Sequence, residues 1–286
     1  MAPRTEPITV PIDAAGDIHG TLTLPDAAPT GVVVVHPATA TPHRFYTGFA
    51  EHAARRGLAV VTYDYRSTGV SGDPRKFRQL RMRDWIQTDA SAVTAHAAAL
   101  YPGLPVYAVG HSIGGHALVM GYGEEHLTRA VVVASHLAAT RTLPHRGERF
   151  RVWVLLQVVG PTLARVRGFV GASRVGLGED LPAGVVLEWS AWSRKARYFY
   201  DDPTMDGEAR AARVRVPLFV ISASDDIWST PGQIDALVAP LTGTQVTRRH
   251  VTPASLGARK VGHHGLMRRG VGEPVWNELL DWLQRG

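Results

Sequence analysis

The most distinctive chemistry in this sequence is the pentapeptide Gly110-His111-Ser112-Ile113-Gly114, which places glycines two residues before and two residues after a serine. It follows an apolar, β-branched stretch at 105–109 and precedes small and apolar residues at 113–118, which predicts a strand, a sharp turn and a helix. Such a turn raises the serine hydroxyl above the edge of a sheet, and the helix N-terminus directs free N–H groups towards it. The alternative interpretation is an ordinary strand-to-helix turn with a capping serine.

A serine hydroxyl becomes a nucleophile beside a base, usually a histidine, and that histidine needs an acceptor that fixes its tautomer. In a parallel sheet such partners lie after the carboxyl ends of later strands. Asp225 and Asp226 follow an apolar run at 217–222, and His263 and His264 follow the last predicted strand. Serine, aspartate, histidine is a chain order that catalytic triads use. The residues alone leave both aspartates and both histidines open.

The elements that would position these residues alternate between buried strands and helices, which predicts an α/β fold with a mostly parallel sheet flanked by helices. Eight strands are predicted, the first two as an antiparallel hairpin, at 8–12, 19–24, 31–36, 58–64, 105–109, 130–134, 217–222 and 244–251. Helices are predicted at 45–57, 84–100, 113–122, 231–241 and 274–283.

The alternation of strands and helices stops between about 137 and 207. No buried strand is evident there, and arginines and aromatic residues occur with helix-like apolar spacing. We therefore predict an α/β core at 1–136 and 208–286, with an inserted helical cap at 137–207.

Aromatic residues of the cap and the histidine beside the serine are candidates for the wall of a substrate pocket, namely His111, Trp153, Trp189, Trp192 and Phe199. The alternative is that the aromatic residues form the core of the cap and that the histidine shapes the turn. Arginines make the cap basic, among them Arg141, Arg146, Arg149, Arg151, Arg165, Arg167 and Arg174. A solvated face is the default interpretation, and attraction of an anionic substrate is the sharper one.

Composition excludes several classes of protein. The chain has 286 residues, of which 45% are hydrophobic, and this fits one large α/β domain. It has no cysteine, which excludes disulfides, thiolate catalysis and cysteine-ligated metal centres. Its net charge of +6 is not accompanied by a nucleic-acid-binding motif, so no nucleic-acid partner is expected. The absence of an apolar leader and of any run long enough to span a bilayer predicts a cytoplasmic protein.

Four motifs resemble those of the α/β-hydrolase superfamily, and the resemblance covers nearly the whole chain outside the cap. Residues 110–114 resemble its nucleophile elbow. Asp64-Tyr65-Arg66-Ser67-Thr68-Gly69-Val70-Ser71 resembles its D-x-R-G-x-G-x-S loop, with Ser67 where glycine is usual. Residues 217–226 resemble the strand that ends in the catalytic acid, and Gly262-His263 resembles the terminal Gly-His. The resemblance implies the α/β-hydrolase fold.

The same resemblance favours one member of each open pair. The acid of the family falls nine positions after the proline that opens its strand, here Pro217, which indicates Asp226 and keeps Asp225 as the alternative. The histidine of the family directly follows a glycine, which indicates His263 and leaves His264 to pack beside the pocket.

Backbone N–H groups that would stabilise an oxyanion are expected at two places. Ile113, the residue after the serine, is one donor. The resemblance implies that the other comes from the loop His36-Pro37-Ala38-Thr39, where the family reads His-Gly-x. Because proline has no N–H, we expect Ala38 to donate, with Thr39 as the fallback.

We therefore expect a serine hydrolase, resembling carboxylesterases, that cleaves a small-molecule acyl substrate through an acyl-enzyme. Ser112 attacks, His263 carries the proton and Asp226 orients His263, and this chemistry implies no metal and no organic cofactor. A thioester, lactone, amide or carbon–carbon bond is the alternative target of the same triad. Dehalogenases and epoxide hydrolases of this fold are disfavoured because their nucleophile is an aspartate. A non-catalytic binding protein of the same fold is the alternative from another class, and the three intact residues argue against it.

Overall fold

The structure, a computed structural model, describes residues 3–13, 16–137, 139–173 and 178–285. Its strands are β1 (Arg4–Asp13), β2 (Gly16–Leu24), β3 (Gly31–His36), β4 (Leu58–Tyr63), β5 (Val106–His111), β6 (Arg129–Val133), β7 (Phe169–Val170), β8 (Leu181–Pro182), β9 (Leu218–Ala223) and β10 (Val246–Val251). All except β7 and β8 join one sheet in the order β1-β2-β4-β3-β5-β6-β9-β10. The pairs β1–β2 and β2–β4 are antiparallel and the other neighbours are parallel. The predicted eight-stranded, mostly parallel sheet is confirmed.

Helices cover both faces of this sheet. They are α1 (Thr47–Arg55), α2 (Met82–Asp84), α3 (Ala90–Leu100), α4 (Ile113–Val119), α5 (Arg146–Val154), α6 (Gly160–Arg167), α7 (Ala183–Ser193), α8 (Gly207–Arg213), α9 (Pro231–Val238), α10 (Gly262–Gly265) and α11 (Glu273–Gln284). A π-helical turn at Trp85–Asp89 joins α2 to α3, and another at Leu155–Val159 joins α5 to α6. Within the ranges described above, no helix combines the length and the apolar character needed to cross a lipid bilayer.

The central strands are buried on both faces, which explains why their sequences are continuous apolar runs rather than alternating ones. Every residue of β3, β4, β5 and β9 is buried, whereas β10 at the sheet edge is mostly exposed or half-buried. On one face, Phe49 of α1 and Leu280 of α11 pack against the sheet. On the other face, Val93 of α3 and Ala117 of α4 do so. The sheet therefore holds its loops between two packed helical layers.

The segment 137–207, called the cap below, is largely helical, as its apolar spacing predicts. It also contains the ribbon of β7 and β8, which the sequence analysis did not predict because two-residue strands show no periodicity. Trp192 and Phe199 are fully buried and belong to the same hydrophobic cluster as the strand residues Val32 and Val132. The cap therefore shares its core with the sheet.

Candidate active site

The turn between β5 and α4 holds Ser112 in a backbone conformation that few residues other than glycine adopt, with φ 54° and ψ −113°. A Cβ atom on Gly110 would lie 2.5 Å from the backbone of Gly114, and one on Gly114 would lie 2.2 Å from the carbonyl oxygen of His36. The two glycines are therefore required by the close approach of the backbone. The N–H of Ser112 donates to the carbonyl oxygen of Val133 at 2.9 Å, which fixes the turn against β6.

The structure brings Ser112, His263 and Asp226 into one hydrogen-bonded chain, called the triad below. The Oγ of Ser112 lies 3.0 Å from Nε2 of His263, and Nδ1 of His263 lies 2.8 Å from Oδ2 of Asp226. An ionised carboxylate only accepts, so Nδ1 carries the ring proton and Nε2 accepts from the serine hydroxyl. These residues follow β5, β9 and β10, so all three lie at the carboxyl edge of the sheet.

Asp226 is held as a carboxylate by its surroundings. It is 3% exposed, and it also accepts hydrogen bonds from the N–H of Trp228 and the hydroxyl of Ser229. Burial by itself raises the pKa of Asp226, but the charge of His263, the hydrogen bond from its ring and the charge of His136 together lower that pKa below its usual range. Asp226 is therefore an ionised acceptor at neutral pH.

Asp225, the alternative acid, contacts a different part of the same loop. Its carboxylate accepts the backbone N–H groups of Val261 at 2.9 Å and Gly262 at 3.0 Å. It therefore braces the backbone that leads into His263, while the ring of His263 contacts Asp226.

His111, predicted as a pocket residue, has no exposed surface, so that prediction is wrong. Its Nε2 lies 2.9 Å from the carbonyl oxygen of His263, and its Nδ1 lies 2.9 Å from the hydroxyl oxygen of Tyr46. A carbonyl only accepts, so Nε2 carries the proton and Nδ1 accepts from Tyr46. Burial, followed by the charges of His263 and His264, lowers the pKa of His111 well below its usual value and keeps the ring neutral. His111 therefore ties the backbone of His263 to Tyr46.

The predicted oxyanion donors differ in whether their N–H groups are free. Among the described residues, the N–H of Ile113 at the start of α4 has no acceptor. The N–H of Ala38 donates to the hydroxyl of Tyr46 at 2.8 Å, so it is not free, contrary to our expectation. The N–H of Thr39, the fallback, has no acceptor in the described part of the chain. An oxyanion would have to displace the Tyr46 hydroxyl to reach the Ala38 N–H.

Two of the predicted pocket residues of the cap lie in its core instead. Trp192 and Phe199 have no exposed surface, so assigning them to a pocket wall is wrong. The indole N–H of Trp192 donates to Asp202 at 2.8 Å, and the ring of Phe199 lies 4.9 Å from that of His116. Both residues follow the alternative interpretation, in which they form the core of the cap.

The other two cap aromatics are accessible to different degrees. Trp189 is half-buried and packs against a small cluster of Leu143, Val152 and Leu156. Trp153 is 48% exposed on α5. Of the predicted basic residues of the cap, Arg174 lies outside the described residues.

His136 and Trp228 border the triad, and the sequence analysis missed both. The ring of His136 lies 5.4 Å from the ring of His263 and stacks on Trp228, also at 5.4 Å. Its Nδ1 is buried and has no hydrogen-bond partner among the described residues. Burial, followed by the charge of His263, lowers the pKa of His136 well below its usual value. The usable signal was its position just after the predicted strand at 130–134, at the same sheet edge as Ser112.

Comparison with known proteins gives a family match and several structural likenesses. A family model described as the alpha/beta hydrolase family matches residues 32–270. A monoacylglycerol lipase of Mycolicibacterium smegmatis is 34% identical over 104 residues, which cover 36% of this chain and 35% of the lipase. The chain therefore matches little more than a third of that relative.

Solved structures resemble the chain over almost its whole length. A soluble variant of monoglyceride lipase from Saccharomyces cerevisiae, in complex with a substrate analogue, has a TM-score of 0.68 at 14% identity and covers 99% of this chain and 96% of its own. A thermostable carboxyl esterase from Bacillus coagulans, in complex with glycerol, has a TM-score of 0.61 at 15% identity and covers 99% and 98%. At these identities the likeness shows the fold.

Proposed function

The chain belongs to the alpha/beta hydrolase family, and we propose that it is a serine hydrolase that cleaves a carboxylic ester through an acyl-enzyme. The observation that carries this proposal is the hydrogen-bonded chain from Ser112 through His263 to Asp226. A hydroxyl, a neutral imidazole with its free nitrogen towards that hydroxyl, and an ionised carboxylate are the three groups that acyl transfer to serine needs.

In the first half of the proposed reaction, Oγ of Ser112 attacks the ester carbonyl carbon while Nε2 of His263 takes the hydroxyl proton. Asp226 stabilises the resulting imidazolium through its contact with Nδ1. The tetrahedral intermediate then collapses, the bond to the alcohol oxygen breaks, and His263 returns its proton to the leaving alcohol. The product of this half is an ester between Ser112 and the acyl group.

In the second half, a water molecule takes the place of the alcohol. His263 removes one proton from this water, the resulting hydroxide attacks the acyl carbon, and Ser112 leaves with the proton that His263 returns. The carboxylic acid is released and both side chains regain their starting protonation. Each half passes through an oxyanion.

We propose that this oxyanion is held by the N–H of Ile113 and by a second N–H from the loop of Ala38 and Thr39. The Ile113 N–H is free and belongs to the first turn of α4, which adds the partial positive charge of a helix N-terminus. One such donor contributes about 3 kcal/mol to transition-state stabilisation. The second donor is Thr39 if the Tyr46 hydroxyl keeps its contact with Ala38, and Ala38 if it moves away.

The choice of an ester over other acyl bonds is supported by the relatives. The mycobacterial relative is named as a monoacylglycerol lipase, and the solved structures include a monoglyceride lipase and a carboxyl esterase. Esters are therefore the first substrates to assay, and thioesters, lactones and amides form the comparison panel.

The experiment that tests this proposal is labelling with a fluorophosphonate, which reacts with activated serines. We expect wild-type protein to be modified on the peptide that contains Ser112, and Ser112→Ala protein to remain unmodified, as read by mass spectrometry. Ser91→Ala, which removes a half-buried serine hydroxyl on α3 that donates to the carbonyl oxygen of Gln87, is the matched control and should label like the wild type. A folded wild-type protein that neither labels nor hydrolyses p-nitrophenyl esters would instead support the non-catalytic binding protein.

A further inference from the structure

The cap contains a groove of about 540 Å³, formed by the loop at Thr140, by α5 and by the residue that follows α7. Six of the residues that line it carry the argument, and these six define what we call the arginine groove: Arg141, Arg146, Arg149, Arg194, Phe150 and Trp153. Four positive charges and two aromatic rings therefore face one concave surface.

Within the ranges that the structure describes, the four groove arginines differ from other arginines near them in having no acidic partner. Arg151, on the same helix, pairs with Glu148, and Arg197 pairs with Asp201 at 2.8 Å. No carboxylate in the described part of the chain forms a salt bridge with any of the four groove arginines. The guanidinium of Arg149 donates to the backbone carbonyl oxygen of Leu143 at 2.8 Å. Like charges gathered in one concave site raise the local concentration of anions. Guanidinium groups also match carboxylate and phosphate oxygens in geometry.

The apolar side of the groove is unusually exposed. Phe150 is 67% exposed and Trp153 is 48% exposed, and their rings stack with centroids 6.4 Å apart. A contiguous pair of exposed aromatic rings is typical of a binding surface rather than of a solvated helix face. Rings beside guanidinium groups fit a ligand that has an apolar body and an anionic end.

A chain of contacts leads from the groove to the triad. The small cluster of Leu143, Val152 and Leu156 lies on α5 and the segments flanking it, and Trp228 packs against this cluster. Trp228 stacks on His136, whose ring lies 5.4 Å from that of His263. These contacts connect the cluster beside α5 to the triad through Trp228 and His136.

Resting on the proposed ester hydrolysis, we propose that the arginine groove binds the anionic end of the substrate. The ligand is an ester with an apolar body and a terminal carboxylate or phosphate, whose oxygens accept from the guanidinium groups of the groove. The apolar body lies along Trp153 and Trp228, and the ester reaches Ser112. Charge, and not only chain length, then determines which esters bind.

Kinetics on matched pairs of esters test this assignment. The substrates are p-nitrophenyl half-esters of dicarboxylic acids and the p-nitrophenyl esters of monocarboxylic acids of the same length. The variant is Arg146→Gln with Arg194→Gln, because neither side chain makes a hydrogen bond or ion pair within the described residues. The control is Arg165→Gln with Arg167→Gln, which removes the same charge from exposed positions of α6 outside the groove.

We expect the groove variant to raise the KM of the charged half-ester by about tenfold or more, because it loses charge-assisted hydrogen bonds to the anionic end. The KM of the neutral ester should stay unchanged, and the control variant should change neither. The charged half-ester should be preferred over the neutral ester only when its acyl chain is long enough to reach from the arginine groove to Ser112. Equal effects of the groove and control variants, or equal effects on both esters, would overturn the assignment.

A binding measurement separates this inference from the proposed reaction. In Ser112→Ala protein, titration with the half-ester should change the tryptophan fluorescence, and Trp153→Phe should reduce that change. If the half-ester binds but the wild type hydrolyses no ester, binding at the arginine groove is supported and the proposed esterase activity is rejected. Turnover of neutral esters without binding of the half-ester keeps the esterase and rejects the groove as a substrate site.

A vesicle experiment distinguishes a dissolved substrate from a lipid surface. The wild type is sedimented with vesicles of phosphatidylcholine alone and with vesicles that also contain phosphatidylglycerol. We expect no sedimentation with either composition at physiological salt. Sedimentation with the anionic vesicles only, lost in the groove variant and without binding of the dissolved half-ester, would overturn the substrate assignment in favour of a lipid surface.

Discussion

The charged groups of the triad and those of the arginine groove differ in burial and in whether they have partners. Asp226 is 3% exposed and surrounded by donors, and each ring nitrogen of His263 has a partner. The arginines of the groove are exposed and have no acidic partner in the described part of the chain. Paired, buried groups are positioned before any ligand arrives, whereas unpaired, exposed groups are available to one. Under the two proposals above, the first region performs the chemistry and the second recognises the substrate.

The largest expected difference separates the two neighbouring aspartates. Asp226→Asn should lower kcat for p-nitrophenyl esters by about 10⁴, because an amide does not fix the ring tautomer of His263. Asp225→Asn keeps that contact and loosens only the backbone before His263, so we expect a loss of about ten- to a hundredfold. Steady-state kinetics on both variants measure this. Equal losses would mean that Asp225 shares the role assigned to Asp226.

Acid should destabilise the region around the triad. Burial lowers the pKa of His116 to about 4, against about 6.5 in an unfolded chain. Between these two pH values the unfolded state binds a proton that the folded state does not, so the free energy of unfolding falls as the pH falls from 6.5 to 4. The loss is about 3 kcal/mol for this one histidine. Urea unfolding measures the free energy of unfolding at each pH. Between pH 6.5 and 4 this free energy should fall less in His116→Gln than in the wild type, and the difference should equal the loss assigned to His116.

Wild type and His116→Gln with identical drops would mean that the protonated ring of His116 is accommodated in the folded state. Unfolding at pH 7.5 provides the baseline for both proteins.

Tyr46→Phe removes a hydroxyl from the hydrogen-bonded chain of Ala38, Tyr46 and His111. It leaves the buried Nδ1 of His111 without a donor, so we expect the free energy of unfolding to fall by about 1–3 kcal/mol. Tyr198→Phe is the matched control, because the one hydrogen bond of that buried hydroxyl among the described residues is to the sulfur of Met82, at 3.4 Å. Urea unfolding measures the free energy of unfolding of both variants. Similar losses would contradict a specific contribution from the hydrogen bonds that link Ala38, Tyr46 and His111.

The smallest effect is expected in the groove. Arg146→Gln should change the free energy of unfolding by no more than about 0.5 kcal/mol, because this exposed side chain has no polar partner in the described part of the chain and such side chains contribute little to stability. Thermal unfolding of this variant beside the wild type measures it. A loss comparable to that of Tyr46→Phe would mean that the groove has a structural role, and the contrast between the two regions would disappear.

The parts that the sequence predicted well are those in which a local pattern has a local cause. The two glycines of the pentapeptide around Ser112 are present because the backbones of β3, β5 and α4 approach each other closely. The buried strands appear as continuous apolar runs because both of their faces are covered. The order of Asp226 and His263 after their strands follows from the direction of the parallel sheet.

The parts that the sequence did not predict depend on which distant residues meet. Tyr46 occupies the N–H of Ala38, and nothing in the residues around either position specifies this contact. Trp192 is buried and Trp153 is exposed, although both are tryptophans in helical stretches of the cap. Hydrophobic type therefore predicts burial only where the packing partner of a helix face is also known.

The conformation of Ser112 has a consequence for how this sequence is maintained. A residue other than glycine at φ 54° costs about 1–3 kcal/mol of folding free energy. Selection for folding alone would favour glycine at that position because of its φ, whereas Gly110 and Gly114 on either side are required by the close approach of the backbone. Under the proposed function, the need for the Ser112 hydroxyl outweighs this folding cost, and descendants that lose the activity are expected to acquire glycine there.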